Sequence, residues 1–125
     1  MPSYAAPFPA NCPEDRFQQV VIHVARITGH RVAHFRPSQN KRGKWQTAVA
    51  ADGAGYPDLT IAKGGEVMFW ELKTNTGRQS PEQKEWQEVL GERYYLLRPK
   101  DWPEVCRLLG YRSAEDIYDH NTRSA

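Results

Sequence analysis

At 125 residues, with 39% hydrophobic, 11% aromatic and 26% charged side chains, the chain has the make-up of one soluble globular domain that buries a core without disulfides or a structural metal. Its two cysteines, Cys12 and Cys106, form no CxxC or Cys/His spacing, which argues against a zinc site. No signal-peptide pattern and no transmembrane run is present, so the expectation is a reduced, cytoplasmic protein without a membrane partner.

The net charge is only +2, yet all fifteen acidic residues lie outside positions 16–51. That window carries Arg16, Arg26, Arg31, Arg36, Lys41, Arg42 and Lys44, with His23, His30 and His34 among them. Such asymmetry reads either as a nucleic-acid face or as a solvated basic surface.

In chain order, residues 1–12 are proline-containing and non-helical, a flexible or strapped arm. A helix begins at Pro13, with Asn11 or Cys12 near its cap and Glu14 and Asp15 at its positive end. Phe17, Val20, Val21, Val24 and Ile27 recur at helical spacing until Gly29. Residues 31–36 alternate as a strand, and Pro37 stops it. A basic loop over 38–44 precedes a short strand at 45–50 and a glycine-rich connection at 51–57.

Strands at 59–62 and 66–73 flank Lys63-Gly64-Gly65, a hairpin tip. Ser80, Pro81 and Gln83 spell a capping box that opens a second helix running through Trp86 and Leu90 to Gly91. A strand at 94–97 ends at Pro99, and a third helix starts at Asp101, with Glu104 as box partner and Gly110 as stop. A further short helix is expected near 113–118. The fold class is therefore α/β, a mixed sheet flanked by helices, with one domain over 13–110 and a tail over 111–125.

The hairpin carries the chemistry. Alternation places Glu71 and Lys73 on one face of their strand and Trp70 and Leu72 on the other. Asp58, held extended by Pro57, starts the partner strand and reaches the Glu71 face. Two converging carboxylates repel unless a cation separates them, and hard oxygens select Mg²⁺ or Mn²⁺. The Leu72 carbonyl is a further candidate ligand, and Lys73 a point charge that positions or deprotonates water. The plainer alternative is a surface Glu/Lys pair. Lys41, Arg42 and Lys44, with Arg36 in the same basic segment, and Arg78 ahead of the second helix are candidate phosphate contacts. Trp86 reads as packing rather than base stacking, and His30 and His34 as structural or phosphate-facing rather than metal-ligating.

Five elements in order give a wider pattern: Glu14-x-x-Phe17-Gln18, Gly55-x-Pro57-Asp58-Leu59, Glu71-Leu72-Lys73, Ser80-Pro81-x-Gln83-x-x-Trp86 and Arg98-Pro99-x-Asp101-Trp102. In these the chain resembles the PD-(D/E)XK nuclease superfamily, and more narrowly its virus-type replication-repair nuclease (VRR-NUC) domain, from about residue 14 to 109. The resemblance implies a restriction-endonuclease-like core and a Mg²⁺- or Mn²⁺-dependent endodeoxyribonuclease. Asp58, Glu71 and Lys73 match its catalytic positions, Glu14 an acidic residue that completes the metal site, and Gln83 the glutamine of the following helix. It also implies branched DNA as partner, a homodimeric Holliday-junction resolvase of a bacterial or phage-infected cell, and no nucleotide cofactor. A monomeric flap or splayed-arm nuclease and a non-catalytic DNA-binding protein are the alternatives. Tyr4 and Phe8 of the arm are candidates for a dimer contact.

Overall fold

The computed structural model describes residues 7–35, 38–39, 42, 45–46 and 50–112. The elements run α1 (Glu14–Ile27), β1 (Arg31–His34), β2 (Ser38–Gln39), β3 (Trp45–Gln46), β4 (Leu59–Lys63), β5 (Glu66–Leu72), α2 (Pro81–Leu90), β6 (Tyr94–Leu97) and α3 (Trp102–Leu109), with short 3-10 turns at Gly91–Arg93 and Pro99–Asp101. The expected helix at 113–118 lies outside the described residues.

In α1, Phe17, Val21, Val24 and Ala25 fall on one stripe and are buried. The cap differs from expectation. Pro13 is itself the N-cap, in an extended conformation, and no side chain caps the helix. The acidic first turn of Glu14 and Asp15 offsets the helix dipole instead. At the other end the Thr28 hydroxyl bonds back to the Val24 and Ala25 carbonyls at 2.8 and 2.9 Å, and Gly29 takes φ +90.

The sheet is mixed and four-stranded, in the order β1-β4-β5-β6. β4 and β5 form a hairpin with Lys63 opposite Glu66, so the tip is the two-residue turn Gly64-Gly65. Both glycines have positive φ, +58 and +86, the geometry whose twist matches the flanking strands. β1 joins antiparallel on the β4 side. β6 joins parallel on the β5 side, and α2 supplies the crossover that a parallel pair needs. β2 and β3 form a separate antiparallel pair.

The core lies on one face of the sheet. Leu59, Ile61, Trp70, Leu72 and Leu97 pack there with Phe17 and Val21 of α1 and with Trp102, Val105 and Leu109 of α3. Phe8 inserts edge-on between Phe17 and Trp102, 5.3 Å from each ring centroid. Asn75 Nδ2 donates to the Ala10 carbonyl at 2.9 Å. Residues 7–12 are thus strapped to the domain, with Phe8 partly buried against its core; Tyr4 lies outside the described residues.

α3 starts by another route than the expected box. The Asp101 side chain makes no cap bond into α3; its Oδ2 accepts from the Arg98 N–H at 2.9 Å and stabilises the preceding 3-10 turn. Glu104 pairs with Arg107 one turn on. Gly110 ends α3 in the left-handed region, as expected.

Phe17 is fully buried in this core and packs edge-on with Phe8, so Phe17→Ala is expected to lower unfolding stability by about 3–5 kcal/mol. Urea unfolding measures it: the midpoint falls while the slope stays near wild type. A loss below about 1 kcal/mol contradicts this account of the core.

Candidate functional site

β5 outruns its hairpin partner. Pairing with β4 ends at Leu59 opposite Trp70, whereas β5 continues against β6 to Leu72. One further step of the β4–β5 register sets Asp58 directly opposite Glu71 on the face away from the core. The next position on β4 is Pro57, which has no N–H, and the ladder stops there. The Leu72 N–H, left without a strand partner, donates to Asp58 Oδ2 at 2.8 Å. The Asp58 backbone is held from its other side, its carbonyl accepting from the Phe35 N–H at 3.4 Å. N–H and C=O of one residue project to the same strand edge, so the Leu72 carbonyl shares the edge that Asp58 occupies.

Glu71 is 1% exposed. Its Oε2 accepts from Gln83 Nε2 at 2.9 Å, and its Oε1 is buried with no hydrogen-bond partner. Burial first, then the charge of Asp58, push the Glu71 carboxyl up to about 9; Lys73 opposes the rise and Glu14 adds to it. Glu14, at the start of α1, is also raised, by desolvation and then by Asp58, with Lys73 again opposing. Three carboxyls therefore crowd one region, and a single ammonium from the adjacent same-face position of β5 offsets them in part.

Gln83 fills both roles expected of it, the capping box and the contact beside Glu71, at once. Its backbone N–H donates to Ser80 Oγ at 3.2 Å, and its side-chain Oε1 accepts from the Ser80 N–H at 2.8 Å, which closes the capping box. The amide nitrogen left over reaches Glu71. A glutamate here would close the same box and set another acid against Glu71. The first turn of α2 must come close for this. Gly55, at φ +77, permits it: a Cβ on Gly55 would stand 2.6 to 2.8 Å from Glu82 Cβ, Glu82 C and Gln83 N.

Two supports went unread in the sequence. Arg98 Nη1 donates to the Thr74 and Gly77 carbonyls at 2.6 and 2.7 Å, which clamps the loop that leaves Lys73. Gln79 Nε2 donates to the Tyr94 hydroxyl at 3.0 Å and ties the approach of α2 to β6. Arg98 had a local signal in its Arg-Pro-x-Asp turn, but its partners lie more than twenty positions away. Trp86 packs as expected, edge-on to Tyr56 at 5.0 Å, and its indole N–H donates to the Asp52 and Ala54 carbonyls at 3.1 and 3.2 Å.

Of the candidate residues, direct bonds join Glu71 to Gln83 and Asp58 to the β5 backbone, with Lys73 and Glu14 in charge range of the pair. Arg42 and Arg78 are exposed and stand outside this hydrogen-bonded set. Arg36, Lys41 and Lys44 lie outside the described residues. His30 Nδ1 bonds Thr28 Oγ1 at 3.0 Å and has a structural role, while His34 lines a cleft of about 370 Å³ between α1 and the end of β1, with Glu14 and Asp58 in its wall. Among the described residues no three His, Cys, Asp or Glu side chains form a group that could hold a metal ion as they stand. The Asp58/Glu71 pair with the orphaned Oε1 nevertheless fits an ion such as Mg²⁺, which commonly takes one or two protein carboxylates and completes its shell with water and phosphate.

Compared with family models, curated proteins and solved structures, the chain gave no match. No described helix is long and apolar enough to cross a membrane.

The raised Glu71 makes a prediction of definite sign. Between the ordinary glutamate value, roughly 4.3, and about 9 the folded chain keeps a proton that the unfolded chain has released, so stability falls as pH rises through that window. Glu71→Gln is therefore expected to melt roughly 3 °C or more above wild type at pH 8 without divalent ions, and level with it near pH 4. Mn²⁺ should raise the melting temperature of wild type alone. Scanning calorimetry at both pH values checks this, and a destabilised Glu71→Gln at pH 8 contradicts it.

Gly55→Ala is expected to cost about 1–3 kcal/mol and to weaken divalent-ion affinity, because α2 must retreat with Gln83. Thermal melts and Mn²⁺ titration measure the two effects.

Proposed function

We propose that the protein is a Mg²⁺- or Mn²⁺-dependent endodeoxyribonuclease of the PD-(D/E)XK kind, closest in pattern to VRR-NUC domains, acting on branched DNA. The observation that carries the reading is the buried Glu71 carboxylate facing Asp58 with one oxygen unpartnered, and Lys73 on the same face. The element order is consistent with a restriction-endonuclease-like core: a helix, an antiparallel hairpin that carries the acids, and a helical crossover to a parallel strand.

Asp58 and Glu71 would hold the ion, with the Leu72 carbonyl and Glu14 as further oxygens at the same edge. When bound, the ion supplies positive charge to the phosphate and acidifies a water. Glu71 gives up its proton on loading, which couples affinity to pH. Gln83 fixes the Glu71 carboxylate, so the free oxygen keeps one direction. Lys73 balances the charge that develops on the phosphate and orients the attacking water. Arg78, exposed in the loop ahead of α2, would be a contact for a flanking phosphate.

A non-catalytic DNA-binding protein is a weaker reading on physical grounds. Burying one carboxylate against another is costly, and binding DNA does not require it. Within the enzymatic reading, a two-fold dimer acting on a four-way junction is preferred to a monomeric flap nuclease, because two related sites match two related strands.

Asp58→Ala and Lys73→Ala are each expected to reduce cleavage by roughly 10²-fold or more with Mg²⁺ or Mn²⁺. Gel assays on four-way, flap and linear substrates, run beside analytical ultracentrifugation, test the whole reading. Undiminished cleavage in either variant removes the mechanism. A monomer indifferent to junctions removes the resolvase, and no cleavage of any branched substrate favours the non-catalytic protein.

A further inference from the structure

We infer that the cleft beside Asp58 is a subsite for an unpaired nucleobase, which makes this site selective for nucleotides outside a duplex; the inference rests on the nuclease reading of the Asp58/Glu71 pair. The cleft, about 370 Å³, runs between α1 and the end of β1 and opens beside Asp58. Phe35 forms part of its wall and is 54% exposed, although it directly follows a strand of the main sheet. Its ring is not loose: Tyr56 meets it edge-on at 5.7 Å and 86°, which fixes the orientation. Its backbone N–H bonds the Asp58 carbonyl, so a base resting on Phe35 belongs to a nucleotide within one step of a phosphate at the carboxylate pair.

The opposite wall selects the chemistry. Gln18 and Gln19 present amides, each both donor and acceptor, as a base edge requires. Glu14, Asp15 and Asp58 make the cleft acidic, His34 is the one imidazole among its lining residues, and among the described residues no Lys or Arg lines it. With Asp58 and Glu14 charge-balanced by the proposed ion, Asp15 still disfavours a phosphate inside the pocket, whereas a neutral flat heterocycle with hydrogen-bonding edges is not repelled. A base inside a duplex is paired and stacked, so it cannot occupy the cleft unless it is flipped or already unpaired. Nucleotides at a junction, fork or flap meet that condition at least cost.

Binding of the full chain to branched oligonucleotides carrying 2-aminopurine at the nucleotide beside the branch tests this, with Ca²⁺ in place of Mg²⁺ to hold turnover off. Wild type is expected to change the fluorescence at that one position. Phe35→Ala should weaken binding roughly 5- to 150-fold, the range for loss of one base–aromatic stack, and Phe35→Trp should restore it. An abasic nucleotide at the same position should reproduce the loss with wild type and add nothing to Phe35→Ala.

If the abasic nucleotide and Phe35→Ala each leave affinity within about twofold while Asp58-dependent cleavage persists, the subsite is wrong and the nuclease reading stands. An equal loss in Phe35→Ala on abasic and intact substrates also overturns the subsite. If no DNA of any form is bound or cut, the nuclease reading fails and the subsite falls with it.

Discussion

Glu71 is a carboxylate buried opposite another carboxylate, and much of the molecule is arranged around that fact. Left alone in the sheet it would be a large liability, since an unpaired buried charge costs several kcal/mol or must neutralise itself. The chain lowers the cost piece by piece. Gln83 donates to one oxygen, Asp58 is drawn partly away by the Leu72 N–H, and Lys73 supplies opposite charge one step along the strand. What remains uncompensated is one oxygen and one raised pKa. A structural ion pair would have no reason to leave that remainder, whereas a divalent ion would remove it.

The two faces of the sheet divide the labour accordingly. The core face carries Trp70, Leu72, Leu59 and Ile61 against α1 and α3, where close packing supplies stability. The other face is covered by α2, which has no fully buried residue. α2 is held by Gln83 on Glu71, Gln79 on Tyr94 and Trp86 on Tyr56 and the 52–54 backbone. These contacts have direction as well as strength. They fix where the first turn of α2 stands, and that turn determines where Glu71 points. Gly55 belongs to the same device, because only a residue without a side chain lets the turn approach so closely.

The readable part of the sequence was the local part. The Gly64-Gly65 tip, the Ser80/Gln83 box, the Gly29, Gly91 and Gly110 stops and the stripe of α1 all depend on neighbours within a few positions, and the structure bears them out. The convergence of Asp58 on Glu71 was legible, but the exact register was not: a Lys63-Gly64-Gly65 tip would set Asp58 against Trp70, whereas Lys63 pairs with Glu66 and shifts Asp58 opposite Glu71. Local cues misled where a distant or competing partner existed. Asp101 has a cap-like neighbourhood, but the Arg98 N–H takes its oxygen. Pro13 looked like a first helical residue and is the cap. The contact of Gln83 with the site was expected only through the wider resemblance, while the reach of Arg98 to Thr74 and Gly77 and the fit of Gly55 under Glu82 are contacts between separate elements that no pattern along the chain encodes.

Charge distribution adds a constraint that the carboxylate pair alone does not. The outer side of α2 presents Glu82, Glu85 and Glu88, all exposed, and Asp52 is exposed in the preceding loop. The outer side of α1 presents Arg16, His23 and Arg26, also exposed, and belongs to the stretch without a single acid. A polyanion is repelled from the first surface and drawn to the second, an effect that acts over about 8–10 Å at ordinary ionic strength. On the proposed reading, DNA therefore comes to the site from the α1 and β1 side, and the cleft that holds Phe35 lies on that path. The acids that line the cleft keep the backbone phosphates outside it, so the base enters while the phosphate stays at the rim beside Asp58 and Glu71. Long-range attraction by one surface and short-range exclusion by the pocket then act in sequence, and together they set a single orientation for the strand.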